Sequence, residues 1–167
     1  ITWMMTKMQP ILWNFHRQLF LLVFLALFTH PLLDAFTVYG TQLFWPLTEY
    51  PVSLSTIFIV DPAYTLWLLI GFISAMMLSR NKKIGHQLNT AGLVLSSLYL
   101  TWTVAAKVLV NQKAELALAA QGISYDRLMT TPAPFNTVVW RIIGRDAEGY
   151  FDGFTPVFGQ DETIKFN

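Results

Sequence analysis

Residues 63–79 read AYTLWLLIGFISAMMLS, and residues 80–83, which follow directly, read RNKK. Seventeen consecutive positions carry no charge, and the run then stops at three cations within four residues. A helix needs about 20 apolar residues to cross the hydrocarbon core of a bilayer, so this stretch reads as a membrane span closed by a basic loop. Residues 90–106 form a second uncharged run and read as the return span. From Lys107 it continues as an amphipathic extension to about residue 120, and Gly122 is placed as a helix stop. Short basic loops stay on the cytoplasmic side. Residues 80–86 are therefore assigned to the cytoplasm, and His30, Asp34, Asp61 and everything after about residue 112 to the opposite side. Lys7 and Arg17, ahead of the first apolar segment, agree with that orientation.

Composition points the same way. Of 167 residues 54% are hydrophobic and 13% charged, with a mean hydropathy of +0.45, whereas a soluble domain has about 25% charged residues. The chain lacks cysteine, which excludes disulfides and thiolate metal sites, so any transition-metal site must use His, Asp, Glu and water. The net charge of +1, without a basic stripe, gives no support to nucleic-acid binding.

Upstream, residues 11–28 are expected to be helical, with Arg17 near the start. The uncharged part, residues 19–28, is short for a span and reaches spanning length only by taking in the segment that follows or the mixed stretch before Leu19. That following segment is His30-Pro31-Leu32-Leu33-Asp34. Pro31 suits the first turn of a new helical piece, so a break or kink is expected between Thr29 and Pro31. Positions four apart share a helix face, and ionisable groups at membrane depth mark a site by default. Imidazole and carboxylate together suit zinc or another divalent ion. The competing reading is a hydrogen-bonded pair that merely fixes the kink.

Residues 37–62 are loop-rich, punctuated by Tyr39-Gly40, Trp45-Pro46, Tyr50-Pro51 and Asp61-Pro62. Phe44, Trp45 and Tyr50 suit a water–lipid interface. Thr37, Tyr39, Thr41 and Gln42 can hydrogen-bond metal ligands or a phosphate, although ordinary interface polarity explains them almost as well. Ile57-Phe58-Ile59-Val60 is a buried strand or a helix end. Asp61 can cap the helix that Pro62 begins, ligate a metal, or do both. His16 and His86 read as ordinary polar positions, and Lys82 and Lys83 as topology signals that touch anionic lipid.

The tail changes character. Residues 137–143, β-branched around Trp140, and residues 150–158 read as strands, joined by a turn at residues 144–149. Asn136, Trp140 and Arg141 are expected to organise this hairpin. The fold class is thus mainly α: a multi-span helical membrane protein with a small extramembranous β-hairpin. The helical membrane domain is placed at residues 1–123, with a metal-site loop at 29–62, and the hairpin tail at 124–167.

The stretch Thr29-His30-Pro31-Leu32-Leu33-Asp34-Ala35-Phe36-Thr37-Val38-Tyr39-Gly40-Thr41-Gln42-Leu43 resembles the hallmark of the bacterial inner-membrane, metal-dependent hydrolase family, which is also described as LexA-binding. Ile57-Phe58-Ile59-Val60-Asp61-Pro62-Ala63-Tyr64-Thr65 and Pro134-Phe135-Asn136-Thr137-Val138-Val139-Trp140-Arg141 resemble the same family in the same order. That family is distantly similar to the all-helical zinc-dependent phospholipase C group, whose members bind metal through His and Asp. The resemblance implies a divalent metal, zinc or manganese, held by His30, Asp34 and Asp61. It further implies a phosphoester or other lipid-linked ester substrate and a location in the bacterial inner membrane; the charge bias of residues 80–86 would then set the metal on the non-cytoplasmic side. Such members carry an earlier His-Arg-Gly-x-Thr-His-Ser motif. Here only His16-Arg17 approaches it, so the motif is expected to precede Ile1, and this chain alone to be weakly active or inactive.

Two alternatives stand beside the enzyme. One is a non-enzymatic membrane regulator that binds a protein partner, for which residues 80–86 offer little cytoplasmic surface. The other is a channel or transporter fragment, which the absence of charge in both long runs disfavours.

Overall fold

The computed structural model describes residues 14–78, 83–146, 149–159 and 164–166. Its elements are three helices, α1 (His16–Asp34), α2 (Pro62–Met77) and α3 (Lys83–Gln121), followed by three strands, β1 (Arg127–Pro132), β2 (Val139–Arg145) and β3 (Tyr150–Pro156). The chain divides into two compact units, Ile1–Leu54 and Ser55–Asn167.

In the first unit, α1 buries none of its side chains. Phe20, Phe24 and Phe28 repeat every fourth residue and stack along its surface, with ring centroids 6.2 and 5.7 Å apart. At 19 residues it is long and apolar enough to cross a membrane. The expected break at Pro31 does not occur, because the helix runs through it to Asp34. Pro31 lies in the last turn, where it removes a single hydrogen bond and little helix follows to be disrupted. Thr29 Oγ1 donates to the Leu25 carbonyl at 2.7 Å, satisfying one acceptor just before the proline.

In the second unit, α2 and α3 pack as an antiparallel pair through small residues. The α carbon of Gly71 lies 3.3 Å from the point where a β carbon would stand on Gly92, and the Trp67 carbonyl oxygen lies only 2.5 Å from it. Any larger residue at Gly92 would force the backbones apart, and small residues are how helices approach closely in an apolar medium. α2 is apolar but has 16 residues, short of a full span, whereas α3 passes the length and composition test.

The 39 residues of α3 give a length of roughly 58 Å, about twice what the hydrocarbon core requires. It starts at Lys83, earlier than the expected return span, so the C-terminal part of the basic loop is helical; residues 79–82 lie outside the described residues. It ends as expected at Gly122, whose φ of +68° suits a glycine. There the Ile123 amide donates to the Leu118 carbonyl at 3.0 Å.

The second half of α3 carries the sheet. Ala106, Val110, Ala114 and Leu118, four residues apart, are wholly buried. Trp140 and Val157 pack on the first two of these, and Ile142 and Ile164 on Ala114. The sheet is antiparallel in the order β1-β2-β3, with Thr130 opposite Ile142 and Ile142 opposite Gly153. Two of its strands are those expected of a hairpin; β1 is an additional one. Of the joining turn, Asp146 and Gly149 close on each other through two hydrogen bonds, while residues 147–148 lie outside the described residues. An open sheet has edges that hydrocarbon cannot satisfy, so the sheet-bearing part of α3 is unsuited to the core of a bilayer. Ile57-Phe58-Ile59-Val60 is irregular rather than strand or helix, with Ile57 buried.

Candidate functional site

At the end of α1, the i,i+4 spacing brings His30 Nε2 to 3.6 Å from Asp34 Oδ2. Two ligands on one tetrahedral ion at about 2.0–2.2 Å stand roughly 3.3–3.6 Å apart, so this separation suits a shared ion with little adjustment. Both heads are open to a substrate, His30 at 79% and Asp34 at 49% side-chain exposure. Among the described residues no group of three or more His, Cys, Asp or Glu side chains is placed to hold a metal. The described residues thus bring together two candidate ligands, His30 and Asp34, and no third.

The segment after α1 folds back on the helix end. Thr37 donates through its hydroxyl to the Asp34 carbonyl at 2.7 Å, and its amide reaches the same oxygen, which closes the helix C-terminus beneath the pair. Thr41 and Val52 exchange backbone hydrogen bonds at 2.9 and 3.0 Å. Ser53 Oγ donates to the Thr37 and Val38 carbonyls, and the Leu54 amide to Ala35. Gly40 has φ +68°, and a β carbon there would lie 2.7 Å from the Val52 carbonyl oxygen. Gln42 Nε2 bonds the Glu49 carbonyl at 2.9 Å. Of the four polar residues singled out from the sequence, Thr37, Thr41 and Gln42 thus hold the loop together through backbone atoms, while Tyr39 stands 75% exposed.

Asp61 belongs to the second unit and is 2% exposed. Oδ1 accepts from the Ala63 and Tyr64 amides at 2.9 and 3.2 Å, so Asp61 is the N-cap that the Asp-Pro sequence indicated. Oδ2 accepts from the Tyr99 hydroxyl at 2.9 Å. Its single proton so committed, Tyr99 accepts from Thr137 Oγ1 at 3.0 Å. The start of α2, the middle of α3 and the turn before β2 are thereby tied at one buried polar point. Tyr99 and Thr137 were not foreseen as its partners. Each is 38 residues from the next, and the only trace in the sequence is a tyrosine within an uncharged, largely aliphatic and hydroxylic run.

A second polar tie lies further along α3. Lys107 Nζ donates to the Thr130 carbonyl at 2.9 Å and the Ser55 carbonyl at 3.3 Å, and Thr130 Oγ1 donates to Asn111 Oδ1. Lys107 lies on the sheet-covered part of α3, and burial pushes its amine down to about 8. These contacts secure β1 to α3.

Two apolar helices of spanning length, α1 and α3, and a small-residue interface between α2 and α3 are features of a helical membrane protein, here joined to a small antiparallel sheet. Residues 1–110 match the family described as YdjM inner membrane protein, and the chain belongs to that family. The match includes α1, α2 and the first part of α3, and the sheet lies beyond it. The protein is accordingly placed in the inner membrane. No curated protein and no solved structure matches the chain.

Proposed function

We propose that this chain is a multi-pass inner-membrane hydrolase that depends on a divalent metal, zinc or manganese, and acts on a phosphoester or other lipid-linked ester. The observation that carries this is the His30–Asp34 pair: an imidazole and a carboxylate 3.6 Å apart, accessible, at the exit of an apolar helix. A divalent ion held there would supply a Lewis acid for the scissile group and bring the pKa of bound water towards about 7. His30 offers Nε2 in its neutral form, Asp34 offers charge, and Thr37 fixes the helix end from which both project. A position at the lip of the bilayer favours a lipid headgroup as substrate. Asp61 as a third ligand rests on the resemblance alone, because its cap and its tyrosine bond already account for its burial. The basic residues at 80–86 support a non-cytoplasmic side for the pair through the positive-inside rule.

The test is a phosphodiesterase and lipase screen of the purified membrane protein, with and without chelator, beside His30→Ala and Asp34→Ala. Loss of a ligand is expected to lower metal affinity or activity by at least the 10–100-fold typical of perturbing a ligand's supporting partners. Activity unchanged by chelation and by both substitutions would refute the enzyme and favour a membrane regulator that binds a protein partner.

A further inference from the structure

The turn before β2 is built to present an apolar tip. Phe135 is 61% exposed and has φ +63°, a left-handed conformation that a bulky side chain rarely adopts and that marks functional sites when it occurs. Asn136 holds it there: Oδ1 accepts from the Val138 and Val139 amides at 3.0 and 2.9 Å, and Nδ2 donates to the Pro134 carbonyl at 3.1 Å. The Ala133 amide closes the turn on the Val139 carbonyl at 2.9 Å. Phe135 meets Phe58 edge to face at 5.4 Å, which joins the turn to the segment leading into α2. Ile59, Val60 and Val138 are also about half exposed or more, at 49, 58 and 50%. No charged side chain occurs in residues 131–140 or 55–60.

The position of this patch along the molecule identifies what covers it. Trp140 packs at the level of Ala106 and Val110, and Ile142 at Ala114, so β2 runs outward along α3 and the turn preceding it faces back towards the apolar helix pair. Thr137, within the turn, reaches Tyr99 and through it Asp61, the cap at the start of α2. The turn is therefore tied to the start of α2 and to the Tyr99 level of α3, helices whose exposed side chains include Leu66, Leu95 and Leu98. A soluble surface rarely leaves such a patch uncovered, and an apolar tip beside a polar network suits the headgroup boundary.

We propose that residues 133–138, with residues 57–60 beside them, are a membrane-interface anchor that inserts into the headgroup–acyl boundary of the bilayer holding α2 and α3, and so fixes the sheet against the membrane surface. This rests on the α2–α3 pair lying in the bilayer. Because the chain has no cysteine, single nitroxide labels can be placed by Phe135→Cys, Val138→Cys, Tyr150→Cys and Leu98→Cys. Tyr150 lies at the opposite end of the sheet, and Leu98 on the exposed side of α3. Each labelled protein is reconstituted in lipid nanodiscs and its collision rates with oxygen and with a nickel chelate are compared by electron paramagnetic resonance. Labels at 135 and 138 should show an oxygen-to-nickel ratio several times that at 150. A ratio at both equal to that at 150, or shielding from both reagents as a second protein surface would give, overturns the anchor. A low ratio at 98 would instead overturn the membrane placement of the helix pair. Should the label at 135 prevent folding, position 138 decides alone.

Discussion

Replacing Asp61 by alanine removes three hydrogen bonds at once, and the structure fixes what each is worth. The two amide bonds to Oδ1 form an N-cap, whose loss costs about 1 kcal/mol and up to about 2. The bond from Tyr99 is to a charged acceptor, and its loss leaves a buried hydroxyl short of a partner, about 1–3 kcal/mol. Thr137 remains to Tyr99, which holds that contribution towards its lower end, so the sum is about 2–4 kcal/mol. For a chain of this size, about 2–4 °C per kcal/mol places the fall in Tm at roughly 5–15 °C, read by thermal unfolding in mild detergent. Asp61→Asn keeps an oxygen at the cap and should stay within about 1 kcal/mol of the parent, because asparagine caps as well as aspartate. Asp61→Ala combined with Tyr99→Phe should cost less than the two single changes added, by the 0.5–3 kcal/mol typical of residues in one network. An Asp61→Ala protein within about 0.5 kcal/mol of the parent, or strictly additive costs, would refute the network as a structural tie. A loss of metal binding without loss of stability would show that Asp61 serves chiefly as a ligand.

Gly92→Ala should destabilise the helix pair by about 1–3 kcal/mol, the range for overpacking, since its methyl would stand 2.5 Å from the Trp67 carbonyl oxygen; unchanged thermal unfolding would show that α2 and α3 do not approach there. Lys107 has its folded value depressed to about 8 from 10.5, so the unfolded chain binds the extra proton between those values and stability rises with pH across that window. Below 8 the burial penalty is fully present; Lys107→Met should remove the rise, and identical pH profiles for the two proteins would contradict the burial. Cysteines at Asn81 and Asp152 should differ towards an impermeant thiol reagent added to intact cells, with 152 labelled and 81 protected, and the reverse pattern would overturn the orientation.

What could be seen in the sequence was what is local or periodic. The uncharged runs gave the helices, Gly122 gave the end of α3, Asp61-Pro62 gave the cap, and a β-branched segment followed by a turn and a second strand candidate gave β2 and β3. The His30–Asp34 contact followed because four residues on a helix is a distance in space as well as in sequence. The misses have a common cause. Pro31 suggested a break because proline disfavours a helix interior, but in an apolar setting the free carbonyls of a broken helix cost more than one missing bond near its end. Strand β1 has little alternation and ends in Pro132, so nothing in it declares a strand. Its extension comes from pairing with β2 and from Lys107 and Asn111 on α3.

The same distinction separates the two polar clusters. His30 and Asp34 lie close through one turn of helix and remain exposed, and among the described residues their side chains meet only each other; an exposed pair contributes about 0–1 kcal/mol. Asp61 is buried; two of its bonds cap α2, and the third, from Tyr99, joins elements far apart in sequence. Stability therefore explains Asp61 and fails to explain a histidine and an aspartate at the mouth of an apolar helix. A polar pair that the fold does not need, at the end of an apolar helix, is what the His30→Ala and Asp34→Ala comparison singles out: substitutions that leave stability intact leave any change in metal binding or activity to the pair itself.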